Sequence, residues 1–386
     1  MTLPVPLRFV ARLLQQDRAQ ATGRAVLFAS IVGFDTFAAH VTELAPQCGV
    51  DEARLRELVT IGRQALSETS PKVREQHLVS RALLREFCRG DVHGGGLLVS
   101  HALRSERNRP TGPGGVAYRE HFVKIDSRET ERIWGRFEQE LPTALAAAYT
   151  RRVLGQPKHL AVIKGTVALH FARSPDVLDG QAATLRQAID TLHAEYLRNW
   201  PLVEALYYMK HRLYPSHGDR ARHEIADDLL AQTRQLADSG ALFRLRVVDL
   251  FEKARDMAGW MGVRILRPRR GEFLIGDVPA IPIDEASGAF GLFRGGIAFG
   301  DATTVVLPLG PRRLAALTRG PDSFEVIAGA EVDELNRLQV ANARTHVAFR
   351  RGSGLERLVR EVTAARSTGT DQTPGEPLAC GRSQFC

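Results

Sequence analysis

Hydrophobic side chains recur at helical spacing over most of the chain before residue 260. The pattern predicts helices over 52–66, 76–88, 128–149 and 159–172, and further helices between 178 and 260. Asp51 stands where an N-cap residue is expected for the first of these helices. The segment 159–172 is apolar on nearly every side, which predicts a helix buried by its neighbours.

After residue 260 the hydrophobic period shortens. Short runs of β-type residues predict strands at 263–266, 272–275, 303–307, 313–317 and 345–349. We expect the turn 267–271 to join the first two strands as a hairpin, and 331–344 to return to helix. Strands that cluster late, with helices elsewhere, predict an α+β fold that is mostly helical with a small, late antiparallel β-sheet.

The two ends of the chain differ from its middle. Residues 1–75 are expected to form a small helical segment, and 366–386 have no apolar periodicity and are expected to be disordered. The apolar stretch 25–41 is interrupted by Asp35 and His40, and it is shorter than the ~20 residues of a membrane-spanning helix, so we expect a buried helix and no membrane. The four cysteines form no CxxC pair, which favours the reducing cytoplasm.

The charge balance points weakly to a polyanion. Lysine and arginine total 52 against 44 acidic residues, a net charge of +8, and the basic residues are overwhelmingly arginine. A nucleic-acid partner fits this balance, but a GC-rich genome also produces arginine-rich proteins. No phosphate-binding GxxxxGK[ST] loop, GxSxG elbow, HExxH helix or kinase signature occurs, so the common enzyme classes lose most of their weight.

Six segments carry a recognisable set of motifs in order. They are Gln76–Phe87, Trp134 with Glu138, Leu169–Pro175, Gly276–Pro279, Leu307–Pro311 and Asn336–Arg344. Together they resemble the bacterial domain-of-unknown-function 4238 family. The resemblance implies one domain over about 76–350 and confers no activity.

Two polar residues of these motifs lie at predicted element ends. His77 is predicted to begin a helix, where backbone N–H dipoles keep an imidazole neutral, as a general base or a metal ligand must be. The alternative is a capping residue or the partner of a buried carbonyl. Asp277 follows a predicted strand, where a carboxylate can bind metal or transfer a proton; the alternative is an Asx-type turn.

Glu138 and His170 are predicted to lie on helices among apolar neighbours, where a buried charge needs a partner. Glu138 paired with Arg173 meets that need as a purely structural contact. If instead His77, Glu138, His170 and Asp277 converge, they form a mixed nitrogen and oxygen site for a divalent metal acting on a phosphodiester.

Arginines form the candidate anion site. Arg81 and Arg85 are four residues apart and share a helix face, and Arg267, Arg269 and Arg270 crowd one turn. With Arg173, these side chains are candidates to clamp phosphates; the alternative for the surface ones is a solvated basic face.

The leading hypothesis is therefore a cytoplasmic bacterial protein that binds or processes nucleic acid, with a metal-dependent nuclease of defence or stress as its enzymatic form. The first alternative is a non-enzymatic regulatory or interaction module in which the buried polar residues serve only the fold. The second is an enzyme acting on a small phosphorylated ligand.

Overall fold

The computed structural model describes residues 25, 29–48, 51–66, 75–88, 96–120, 122–123, 127–215 and 218–368. The α-helices of this part are α1 (Phe34–Ala39), α2 (Val41–Cys48), α3 (Glu52–Leu66), α4 (Arg81–Cys88), α5 (Ser127–Ala148), α6 (Pro157–Ala172), α7 (Pro175–Arg198), α8 (Trp200–His211), α9 (Asp219–Ser239), α10 (Ala241–Trp260), α11 (Leu292–Gly295), α12 (Gly329–Asn342) and α13 (Glu356–Thr368). Short 3-10 helices span Pro113–Gly115 and Arg151–Gly155. The predominance of helix agrees with the predicted pattern.

The strands form separate sheets. They are β1 (Glu75–His77), β2 (Leu98–Ala102), β3 (Arg107–Thr111), β4 (Tyr118–Glu120), β5 (Gly262–Pro268), β6 (Ile275–Gly276), β7 (Ile281–Asp284), β8 (Ala289–Phe290), β9 (Thr304–Gly310), β10 (Arg313–Thr318), β11 (Ser323–Ile327) and β12 (His346–Arg350). One sheet pairs β1 with β4, a six-stranded sheet has the order β11-β5-β10-β9-β7-β8, and a four-stranded sheet has the order β3-β2-β12-β6. The fold is α+β.

Three details of the predicted sheet are wrong. Strands also occur early in the chain, and β11 lies parallel to β5, so the sheet is neither only late nor only antiparallel. The hairpin over 263–275 does not form, because β5 pairs with β10 and β11 whereas β6 pairs with β12 in the other sheet. Strand periodicity reveals which face is buried but carries no information about the partner strand.

The predicted helix over 76–88 begins later than expected. Residues 75–77 are strand β1, and its Gln76 side chain accepts a hydrogen bond from Val123 N at 2.6 Å while its backbone pairs with β4. The helix starts only at Arg81. His77 is thus a strand residue and lies outside the first turn of α4.

The main core lies between α4, α5, α6, α10 and one face of the six-stranded sheet. As predicted, α6 is buried along most of its length. Phe137 of the preceding helix α5 packs against Gly165 of α6. A Cβ atom added at Gly165 would lie 2.9 Å from the Phe137 ring. The opposite face of the sheet packs on α12, and a third core joins the four-stranded sheet to α12 and α13.

The N-terminal helices have a core of their own. Apolar side chains of α1, α2 and α3 pack against α7, α8 and α9, and Ser30 Oγ lies 2.6 Å from Thr233 Oγ1 within this core. As predicted, Asp51 caps α3, since its carboxylate accepts a hydrogen bond from Ala53 N at 2.7 Å. The helix α7 contributes to both this core and the main core.

Helix α12 holds the segment 272–279 by side-chain amides. Asn336 bonds Glu272 O and Leu274 N, and Gln339 bonds Gly276 N and Pro279 O. These side-chain amides satisfy backbone N–H and C=O groups that in a sheet would bond to a neighbouring strand, because the segment 272–279 has little strand pairing of its own. Within the described residues, no helix combines the length and the hydropathy needed to cross a membrane.

Candidate functional site

His77 lies at the surface end of the candidate site. It is half-buried on β1, opposite Tyr118 of β4, with the two rings 6.3 Å apart. Its Nε2 is 3.1 Å from Arg81 Nε and 3.4 Å from Gly114 O. One nitrogen cannot accept from Arg81 and donate to a carbonyl at once, and the guanidinium is always protonated. Nε2 therefore accepts, and Nδ1 carries the proton.

The imidazole of His77 is neutral for a different reason from the one predicted. Burial lowers its pKa, and the positive charges of Arg81 and Arg173 lower it further, against the opposing effects of Gly114 O and Glu138. A helix dipole plays no part, since His77 precedes α4 in a strand.

His170 is fully buried on α6 and all its hydrogen-bonding capacity is used. Nδ1 donates to Thr166 O at 2.8 Å, while Nε2 faces Ser80 N at 3.0 Å and Arg173 Nη2 at 3.1 Å. Burial, and then the charge of Arg173, hold its pKa well below the usual value. The ring is a neutral joint between α6 and the segment before α4, with no lone pair left for a substrate proton.

Arg173 is the centre of the buried network. Its Nε donates to Leu78 O at 3.0 Å and its Nη1 to Glu138 Oε1 at 2.9 Å, while its guanidinium carbon lies 5.8 Å from the centre of the Trp134 ring. The Arg173 side chain is 3% exposed and that of Glu138 is 33% exposed. The structural pairing of Glu138 with Arg173, one of the two alternatives raised by the sequence, is the arrangement that forms.

Asp277 lies in a different contact set. Its buried carboxylate accepts hydrogen bonds from Arg344 N and Thr345 N at 2.8 Å each, from Thr345 Oγ1 at 2.5 Å and from His346 N at 3.3 Å. It thus joins the loop after β6 to the start of β12. The Asx-type alternative anticipated backbone N–H donors, but these donors come from a segment distant in sequence.

Beside Asp277, Arg344 connects this region to the start of α7. Its guanidinium pairs with Asp176 and Asp179. Burial raises the pKa of the Asp176 carboxyl, and the nearby charge of Asp277 acts in the same direction, whereas Arg344 lowers it. The structure therefore joins Glu138 and His170 through Arg173 and places His77 within the electrostatic influence of Glu138 and Arg173, whereas Asp277 bonds to residues 344–346.

The ligand set expected for a divalent metal does not assemble. Among residues 25–368, outside the gaps named above, no three His, Cys, Asp or Glu side chains group as a metal ion requires. His170 and Asp277 are occupied by protein donors, as their hydrogen bonds show. The convergence hypothesis thus lacks the geometry on which it depended.

The surface arginines have no acidic partner among the described residues. Arg81 and Arg85 are exposed on α4, and Arg267, Arg269 and Arg270 are exposed where the chain leaves β5. In the part of the chain that the structure describes, none of these five guanidinium groups forms an ion pair. We call these five residues the arginine surface.

The two segments that carry the arginine surface adjoin one another through the turn between β9 and β10. A Cβ added at Gly310, the last residue of β9 before this turn, would lie 3.0 Å from Glu86 Cβ of α4. Two residues further on, Arg312 donates from Nη1 to Gly271 O at 2.9 Å and from Nη2 to Pro268 O at 3.4 Å. The turn is therefore in contact with α4 on one side and with 267–271 on the other.

The surroundings of Arg313 show that this region is strongly positive. Its guanidinium is buried against Ala148 O and Tyr149 O, at 3.0 and 2.6 Å. Burial lowers its pKa, and the charges of Arg267 and Arg312 lower it further, against the opposing effect of Tyr149. Neighbouring arginines therefore repel one another here, and no carboxylate contributes to the pKa shift of Arg313.

Sequence reasoning missed residues that shape both regions. Ser80 and Arg344 act through backbone and tertiary contacts that no local pattern encodes. Arg312 carried a usable signal, since it follows the Leu307–Pro311 motif between two predicted strands and adds charge to a turn next to them.

The comparisons with known proteins agree with the resemblance seen in the sequence. The family described as "Protein of unknown function (DUF4238)" matches residues 75–353, which is most of the chain, so the chain belongs to this family. Neither the curated proteins nor the solved structures contain a match.

Proposed function

We propose that this protein binds the phosphate backbone of nucleic acid through the arginine surface. The observation that carries the proposal is a group of five exposed arginines on two adjoining segments, none of them ion-paired to a residue that the structure describes. Guanidinium groups donate paired hydrogen bonds to phosphate oxygens, and each neutralised phosphate releases counterions.

The spread of the arginines favours a polymer over a compact anion. Arg81 and Arg85 lie on α4, and the other three arginines lie at the end of β5 and just after it, across the intervening β9–β10 turn. A row of phosphates can contact both segments at once, whereas a single phosphate group contacts one of them. The net charge of +8 supports the same partner through long-range attraction.

The proposal is one of binding, without a metal-dependent step. Two of the residues considered for metal chemistry, His170 and Asp277, are saturated by protein hydrogen bonds. His77 is a neutral imidazole in direct contact with Arg81 of the arginine surface. His77 is the candidate we propose for processing of the bound strand in bacterial defence or stress.

Fluorescence anisotropy with labelled RNA and DNA tests the proposal. The wild-type protein should bind at low salt and lose affinity as salt rises. Replacing Arg269 and Arg270 by glutamine should weaken binding and reduce the slope of log K against log salt by about 1.5, since two phosphate contacts are removed. The double variant Arg337→Gln with Arg357→Gln removes the same charge from arginines that pair with Glu361, and should behave as the wild type.

Three results would overturn nucleic-acid binding at this surface. They are the absence of binding at low salt, binding that ignores salt, and equal losses in the two double variants. Thermal shifts with mononucleotides separate the small-ligand alternative, because a ligand that binds the folded state raises the unfolding temperature. Gels of the same RNA with Mg²⁺, Mn²⁺ or a chelator report whether cleavage accompanies binding.

A further inference from the structure

A groove among the main-core helices shares no lining residue with the arginine surface. It lies between α5, α6, the 3-10 helix at 151–155 and the end of α10, and has a volume of about 530 Å³. Small-molecule sites are commonly of this size, roughly 300–1,000 Å³. Its apolar lining includes Phe137, Leu154, Pro157 and Ala161.

The charged residues of the groove gather at one edge. Lys164 Nζ donates to Gly259 O at 3.2 Å, and Arg255 lies four residues before Gly259 on the same face of α10. Lys164 forms no ion pair with any residue that the structure describes, and Arg255 has only a 3.6 Å contact with the exposed Asp256. This edge presents two cationic groups that lack a close carboxylate partner.

One acidic residue also lines the groove. Asp322 Oδ1 accepts a hydrogen bond from Val263 N at 2.7 Å, which assigns this carboxylate to the start of β5. With Lys164 and Arg255 it leaves a net positive charge in the lining. An apolar channel with a positive end matches a ligand that has an apolar body and an anionic head.

Trp260 adds exposed apolar surface beside this edge. It follows Gly259 directly, and its indole is 92% exposed. A large aromatic side chain left in water gains free energy when an apolar ligand covers it. The indole also supplies a spectroscopic reporter next to the groove.

We propose that this groove binds an unbranched aliphatic carboxylate. Its chain lies on Phe137, Leu154 and Pro157, and its carboxylate contacts Lys164 and Arg255. Binding requires no covalent step and is independent of the nucleic-acid function proposed above, so either proposal can fail alone.

Titration of the full chain with decanoate below its micelle concentration tests this proposal. Tryptophan emission should shift to the blue and saturate, and the shift should be absent in Trp260→Phe. The double variant Lys164→Met with Arg255→Met should weaken decanoate binding by about tenfold or more, as expected for lost charge-assisted hydrogen bonds, while 1-decanol binding stays unchanged. Calorimetry measures the affinities in variants that lack the reporter.

Matched variants guard against unfolding and non-specific adsorption. Lys158→Met with Arg357→Met removes the same charge at exposed sites and should leave decanoate binding intact. Ala161→Phe should fill the groove and abolish binding, whereas Ala231→Phe, at an exposed position of α9, should not. Circular dichroism melting identifies any variant that fails to fold.

The proposal is overturned if decanoate causes no saturable change. It is also overturned if decanol binds as tightly as decanoate, or if the Ala161 and Ala231 variants behave alike. Loss of binding in both double-methionine variants would equally reject it, since it would place the carboxylate on general surface charge.

Discussion

The region around His170 and the region around Asp277 use buried polar residues in contrasting ways. Around His170, the hydrogen bonds join two helices to the segment before α4, and the network reaches the surface through Glu138, which is one-third exposed. Around Asp277, four donors from one short segment consume the carboxylate. In both regions, polar residues of the family motifs stabilise the fold. Only the region around His170 also has a surface that a ligand can reach.

The largest effect is expected for Asp277→Ala. The change leaves the backbone N–H groups of residues 344–346 without their acceptor, and should lower the free energy of unfolding by roughly 3–5 kcal/mol. Asp277→Asn keeps one acceptor oxygen and should lose about half as much. Urea denaturation measures both, with the exposed Asp333→Ala of α12 as control. A loss below about 1 kcal/mol for the alanine variant would show that Asp277 is free for another role.

Arg173→Met should cost somewhat less, about 3 kcal/mol, because Glu138 is one-third exposed and can be hydrated when its partner is lost. Leu78 O and His170 lose their donor in the same variant. Arg136→Met, an exposed position on α5, serves as the control in the same urea experiment. Equal stability of the two variants would show that the hydrogen bonds of Arg173 do not stabilise the fold, contrary to the role we assign to it.

The pH dependence of stability should separate the two regions by a smaller amount. His170 binds a proton less readily when folded, so the unfolded chain takes up the extra proton as pH falls below about 6.5. Its stabilising effect is complete above that pH and is lost below it, with a slope of up to about 1.4 kcal/mol per pH unit. His77 acts in the same direction, and Asp176 in the opposite one.

Unfolding free energies between pH 8 and 5 measure this slope. His170→Gln should flatten it, and the exposed His223→Gln should leave it unchanged. If the His170 variant does not fold, His77→Gln provides a milder version of the test. A wild-type slope that survives both His170→Gln and His77→Gln would assign it to other groups.

Local patterns predicted the parts of the fold that depend on local physics. The burial of α6 follows from apolar residues on every side, and the cap at Asp51 follows from one carboxylate at a helix start. The strand Arg107–Thr111 escaped notice because its residues are mostly exposed and polar, so no alternation marks it. The partners of β5 escaped notice because pairing is decided across the chain.

The same limit governed the candidate site. The motifs correctly drew attention to Glu138, His170 and Arg173, which are in mutual contact through the guanidinium. The motifs could not predict the hydrogen-bond donors to Asp277, because these donors lie more than sixty residues later in the chain. Buried polar residues can be recognised from sequence, but their partners, and therefore their roles, require the tertiary structure.

The core of the N-terminal helices also bears on the choice of chain boundaries for expression. The family match spans 75–353, yet α1–α3 cover apolar faces of α7, α8 and α9 that lie inside that span, and α13 covers α12 beyond its other end. A polypeptide trimmed to the family limits would present those faces to solvent and tend to self-associate. The segment matched by the family and the segment that folds as a unit therefore have different boundaries. A polypeptide made for expression should include α1–α3 and α13.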